Sequence, residues 1–183
     1  MEREEGNKIE DLRKMGLDRF SYPLYRDKVV GLYMHAYATG EYAQQIERVE
    51  AEESLWTTIR YGFGQLAFDG QQLVGAVLAM PLEKHTDFPA LQTSGIDPKS
   101  TLYIAEVMVH SDYRRRGVAT MLMKEVLARL AGYSTTMIRV WEENRTACNL
   151  YKKLGFRPIA AITQTKRRPS GEPFEMRKLY FLK

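Results

Sequence analysis

Apolar and polar positions along this chain recur with two different periods, and the switches between them mark its elements. Beyond Pro23, Val30, Tyr33, Met34 and Tyr37 fall at helical spacing and Gly40 offers a stop, which predicts a first helix. A second helix is expected from about Glu41 to Tyr61, with Tyr42, Ile46, Val49 and Trp56 facing inward. Phe63 to Phe68 and Gln71 to Met80 read as strands joined at Asp69-Gly70, a pair that readily takes the positive φ of a tight hairpin. Leu102 to Val109 is a further strand, and Ala119, Leu122, Met123, Val126, Leu127 and Leu130 then share one helical face. A strand at about Thr136 to Trp141 precedes a last helix whose apolar stripe is Ala147, Leu150, Tyr151 and Leu154. Asn144 suits its N-cap and Gly155 its C-terminal stop. Pro158 to Leu182 alternates around a turn at Pro169-Ser170-Gly171 and predicts a closing antiparallel hairpin.

Two stretches lack a clear period. Residues 1–20 are rich in charge and read as a loose tail or a marginal helix. Pro81 to Ser100 mixes Pro, Gly, Thr and Asp with scattered apolar residues, the composition of a binding loop or of a mobile one. The order of elements predicts an α/β (α+β) architecture, a mixed and mainly antiparallel sheet flanked by helices. The expected organisation is a charged tail over 1–20 and one domain over 21–183.

Composition narrows the class. A chain of 183 residues supports one sizeable core, and its longest strongly apolar run, Leu73 to Met80, is far too short to cross a membrane. The charged N-terminus lacks a secretory apolar region, and the single cysteine fits a reducing compartment, so a cytoplasmic protein with no membrane partner is expected. The net charge of +4 is mild. Lys166-Arg167-Arg168 reads as a solvated basic face, and no nucleic-acid motif accompanies it. His35, His85 and His110 are scattered without ligand spacing, so no metal is expected. Cys148 lies mid-helix without a neighbouring histidine, as an inert thiol would.

The candidate chemistry begins at Arg114-Arg115-Arg116-Gly117-Val118-Ala119, between a strand and a helix. A Gly turn that opens a helix aims unpaired N–H groups outward, and with the helix dipole and flanking arginines these make a phosphate site. The residues after Gly117 are not Lys-Ser or Lys-Thr, which excludes a P-loop, and one glycine is too few for a dinucleotide turn. Arg114, Gly117 and Ala119, followed at the right distance by Asn144 and Tyr151 in Asn144–Phe156, resemble the two motifs of the GNAT superfamily of acyl-CoA N-acyltransferases. The resemblance covers residues 101–160 well and the earlier half in outline.

That resemblance implies acetyl-CoA as co-substrate and direct acetyl transfer to a primary amine of a small molecule or protein in a ternary complex. It places the pyrophosphate on the backbone of Arg115, Arg116, Gly117, Val118, Ala119 and Thr120, beside Arg114. The pantetheine arm would run along main-chain groups of Val107, Met108 and Val109, with Asn144 as a further contact. Tyr151 stands at the family position of the acid that protonates the departing thiolate. A lysine amine is neutral in only about one molecule per thousand at pH 7, so a base helps. Glu106, on the cofactor strand, is the candidate base, with a structural carboxylate paired to an arginine as the other reading. Ribosomal-protein alanine acetyltransferases carry a glutamate base five residues before the motif asparagine; here that residue is Arg139, so that branch's acceptor is not expected. Tyr33, Tyr37, Trp56, His85 and Phe88 are candidates to line an acceptor pocket. A catalytically silent acyl-CoA sensor is the alternative function. The acceptor, the acyl-chain length and pairing into a homodimer are left open.

Overall fold

The computed structural model describes residues 9–40, 43–89 and 93–183. In chain order its elements are β1 (Arg13–Leu17), α1 (Tyr22–Ala38), α2 (Arg48–Tyr61), β2 (Phe63–Asp69), β3 (Gln72–Pro81) and β4 (Thr101–Val109). Then follow α3 (Val118–Leu127), β5 (Thr135–Trp141), α4 (Arg145–Lys153), β6 (Arg157–Arg167) and β7 (Pro173–Leu182). The strands form one sheet in the order β1-β2-β3-β4-β5-β7-β6. Only β4 and β5 pair in parallel, the crossover between them being α3, so the expected mixed and mainly antiparallel sheet is what the chain builds.

Helices cover both faces, and this explains why β3 is an unbroken apolar run rather than an alternating one. Its Val74, Val77 and Ala79 join a core with α3 and α4 on the back face. Leu73, Ala76 and Leu78 join a second core with α1 and α2 on the front. Farther along the front, Leu82, Phe88 and Ile96 from the segment after β3 pack on Tyr103, Met137 and Tyr180. Gly75 lets α3 sit directly on β3: a Cβ there would lie 2.6 Å from Val118 Cγ1. The hairpin turns at Gly70 with φ +54°, as Asp69-Gly70 predicts.

Two expectations are corrected. The segment 1–20 is not all tail, because residues 13–17 form β1 and pair along β2 from Arg13↔Phe68 to Leu17↔Gly64. Met15 and Leu17 supply the inward side of this edge strand, which is all that one buried face demands. The second helix begins at Arg48, and its inward stripe is Ala51, Leu55, Thr58 and Ile59. That register turns Val49 and Trp56 outward, at 64% and 41% exposure; Ile46 precedes the helix, and Tyr42 lies outside the described residues. Among the described residues no helix is long and apolar enough to cross a membrane.

Candidate active site

The site forms where the sheet comes apart. Parallel pairing of β4 with β5 starts at Thr101↔Thr135 and ends at Ile104↔Ile138. Beyond that point β4 continues to Val109 and β5 to Trp141 without pairing to each other, so the main chain of β4 from Ala105 onward has no ladder partner on the β5 side. A bulge on the other edge, where Leu78 pairs with Glu106 but Ala79 with Ile104, leaves Ala105 as an extra residue. The bulge lets Tyr103 and Glu106 face the front together. Val107 and Val109 pack toward the back core and Met108 into the front core, so these three residues offer backbone rather than side chains.

The predicted phosphate turn lies at the end of this open edge. Gly117 has φ +90° and serves as N-cap of α3 without any side-chain cap, while Arg115 takes φ +60°, rare for a residue with a side chain. Left-handed residues at 115 and 117, on either side of Arg116, and an uncapped helix start turn backbone N–H groups outward, the geometry of an anion cradle. Arg115, Arg116 and Gly117 are exposed, and Val118 is buried as the anchor of the turn. Arg114 is occupied elsewhere. Its guanidinium donates to Ala36 O at 3.2 Å, Thr39 Oγ1 at 3.1 Å and Val109 O at 3.3 Å, tying the end of α1 to the turn. Arg114→Ala should therefore destabilise the fold by about 1–3 kcal/mol, as expected for lost hydrogen bonds from a charged donor. A thermal midpoint equal to that of the parent protein would show that these bonds contribute nothing.

Glu106 is 8% exposed and accepts a hydrogen bond from the Tyr37 hydroxyl at 2.5 Å. Burial is the dominant influence on its carboxyl and raises its pKa to about 7, against the lowering effects of Tyr37, Arg139 and Lys178. Tyr33 lies against Tyr37 with ring centroids 4.6 Å apart. Tyr151, buried on α4, has its hydroxyl pKa pushed up, first by burial and then by Cys148 and the Glu106 carboxylate. It therefore keeps its proton across the physiological range, within electrostatic reach of Glu106. Asn144 caps α4 as its spacing predicts, accepting from Ala147 N–H at 3.1 Å. Cys148 is buried with its thiol pKa raised, chiefly by burial.

The front wall continues across β5 and β7. Arg139 donates to Asp87 Oδ2 at 3.2 Å and lies 3.5 Å from the Tyr180 hydroxyl. Tyr180 donates to Asp87 O at 2.9 Å and stands 2.8 Å from His85 Nε2, so His85 is the donor in that pair. His85 stacks on Tyr103 at 4.1 Å, and burial pushes its pKa down to about 3, which keeps it neutral. Of the candidate pocket residues, Tyr33, Tyr37, His85 and Phe88 therefore gather around the front of the gap. Trp56 does not; it stacks on Tyr22 at the start of α1, at 5.9 Å. Tyr103, Asp87, Gln164, Lys178 and Tyr180 were not foreseen. The signal for Lys178 is there: it falls in register with Phe174, Met176 and Tyr180 on one strand face.

Comparison with known proteins places this geometry. The model of the acetyltransferase (GNAT) family matches residues 25–156. An N-acetyltransferase from Staphylococcus aureus Mu50 superposes with a TM-score of 0.68 at 13% identity, covering 94% of this chain and 98% of that one. Ribosomal-protein-alanine N-acetyltransferase from Brucella melitensis gives 0.67 at 15% identity, with 94% and 99% covered. The yncA protein of Salmonella typhimurium, solved with its cofactor acetyl-CoA, gives 0.64 at 12% identity, with 94% and 93% covered. At such identities the likeness is one of fold. No curated protein sequence matches the chain.

Proposed function

Because the chain belongs to the acetyltransferase (GNAT) family, we propose that it moves an acetyl group from acetyl-CoA to a primary amine by direct transfer in a ternary complex. The observation that carries this is Glu106: a buried carboxylate with a pKa of about 7, held by Tyr37 beside the unpaired stretch of β4, with the protonated Tyr151 hydroxyl close by. The chain's own residues fit the co-substrate. The uncapped start of α3, with Gly117 and Arg115 in left-handed conformation, suits a pyrophosphate on the amides of residues 115–120. The open edge of β4 at Val107, Met108 and Val109 suits an extended amide-bearing arm that completes the missing ladder. Asn144 is at hand on the other side of the gap, its cap bond leaving its amide donors free to reach a ligand. Bound there, acetyl-CoA supplies an activated thioester carbonyl.

Every other contribution comes from the protein. An unpaired β4 amide is available to bond the carbonyl oxygen as negative charge grows on it. The Glu106 carboxylate takes the proton that the attacking amine must lose, directly or through one water. Tyr151 Oη donates its proton to the departing sulfur, so the proton count balances: one leaves the amine and one reaches the thiol. A base with pKa near 7 is charged often enough to accept and basic enough to be useful.

Tyr151→Phe should lower kcat about 100-fold while acetyl-CoA binding is retained, measured by thiol release and calorimetry. Unchanged turnover across pH would remove Tyr151 from the mechanism. The function itself is tested by titrating the protein with acetyl-CoA and then assaying thiol release against a panel of primary amines. Stoichiometric binding followed by amine-dependent release is the expected result. No binding at millimolar ligand would overturn the proposal.

A further inference from the structure

The front face beyond the gap carries more positive charge than the transfer chemistry uses. Lys178 sits on β7 opposite Trp141 of β5 and Ile162 of β6, on the face that also carries Arg139 and Tyr180. It is half-buried, and its side-chain amine makes no hydrogen bond or ion pair with any described residue. Burial, followed by Arg139 and Lys166, pushes its pKa down to about 7. Arg139 already has Asp87 as a partner, and Gln164 Nε2 donates to the same carboxylate at 3.0 Å while Gln164 Oε1 is buried with no partner. Lys178 thus has two basic neighbours, Arg139 and Lys166, against the more weakly felt carboxylates of Glu106 and Asp87. A desolvated amine without a partner beside two other cations is costly, and an anionic oxygen would relieve that cost.

We propose that Lys178, backed by Arg139, binds an anionic oxygen group on the acceptor, so that the preferred substrates are amines that also carry an acid. This rests on the acetyl-transfer function proposed above. Lys178 and Glu106 stand on strands that flank β5, and because β4 and β5 have parted at this level their backbones are more than the roughly 10 Å of two ordinary strand spacings apart. The amine end therefore lies at Glu106 and the acid end at Lys178, and the Glu106 carboxylate itself repels an acid placed at the wrong end. The distance between amine and acid in the substrate then decides which amino acid spans the gap.

The test compares glycine, β-alanine, 4-aminobutyrate and 6-aminohexanoate with their amides, and 2-aminoethyl phosphate with ethanolamine, by thiol release from acetyl-CoA. The expected result is a kcat/KM at least tenfold higher for at least one acid than for its uncharged counterpart. The carboxylate and phosphate arms tell which acid is taken. Lys178→Met should erase that preference by raising KM for the acid, and Lys178→Arg should restore part of it. Calorimetric titration with the matching N-acetyl acids and N-acetyl amides gives the same comparison without turnover. Preferential binding of the acid that Lys178→Met abolishes, in a protein that turns over no amine, would keep the anion site and overturn acetyl transfer. Normal turnover without an acid preference in either measurement, or an equal loss for both members of each pair in Lys178→Met, would overturn the anion site.

Discussion

Glu106→Gln should lower kcat by about 10²–10⁴-fold, the usual range for a lost general base, and at the same time make the protein more stable at pH 8. The two effects share one cause. Burial raises the Glu106 pKa from 4.5 to about 7, so the folded state holds a proton that the unfolded chain has already released between those values. Stability therefore falls as pH rises from about 4.5 to about 7, and above pH 7 the cost of the buried charge is fully present. Glutamine keeps the acceptor for the Tyr37 hydroxyl and removes that cost. A shift of this size corresponds to roughly 3 kcal/mol, or a rise of about 6–12 °C in thermal midpoint at pH 8 and little change at pH 4.5. In kinetics, the limb near pH 7 in kcat/KM should vanish in the variant, while the limb from the amine's own ionisation persists at higher pH. A midpoint that moves equally at both pH values would show that the buried charge is not what Glu106 costs the fold.

Gly117→Asp should weaken acetyl-CoA binding by about 100-fold or more. Gly117 has φ +90°, where a side chain costs about 1–2 kcal/mol, and its Cβ would lie 3.0 Å from Ile9 Cδ1. The variant turn relaxes away from φ +90° in the free protein and binding must restore it, a loss of up to about 5–30-fold, and the remainder comes from a carboxylate set where the anion cradle expects a phosphate. Gly117→Ala separates the two, because it carries the strain without the charge. Calorimetry of the parent, alanine and aspartate proteins should therefore give a graded series. If aspartate binds as well as alanine, the pyrophosphate does not sit at this turn.

The parts of the site that are local in sequence were the parts that could be read from it. The left-handed Gly117, the cap at Asn144 and the stripe that carries Tyr151 each depend on neighbours within a few residues. Glu106 was legible as well, since it sits on the strand those motifs bracket. The front wall was legible only through Tyr37 and His85, because Asp87, Arg139, Gln164 and Lys178 come from distant segments, and only the sheet brings them to one face. Helix α2 was misjudged for a related reason. Val49 and Trp56 look like core anchors until the helix starts at Arg48, and Ala51, Leu55 and Ile59 then take the inward side. The edge strand β1 was hidden by Arg13 and Lys14, whose exposed charges are what an edge strand tolerates and a period count discards.

The short seam between β4 and β5 has a consequence for how the protein lives with its ligand. Among the described residues, four pairs, Thr101↔Thr135 to Ile104↔Ile138, are all the strand pairing that joins the half of the sheet holding β1 to β4 to the half holding β5, β7 and β6. On the proposed placement of acetyl-CoA, a molecule lodged in the gap beyond them would act as a keystone, supplying contacts to both halves that no protein strand provides. Its binding free energy is then also cohesion of the sheet, worth about 2.7 kcal/mol when the ligand stands at 100 times its Kd. On that placement, resistance to opening along this seam would follow the supply of co-substrate, and the loaded protein would be a tighter molecule than the empty one.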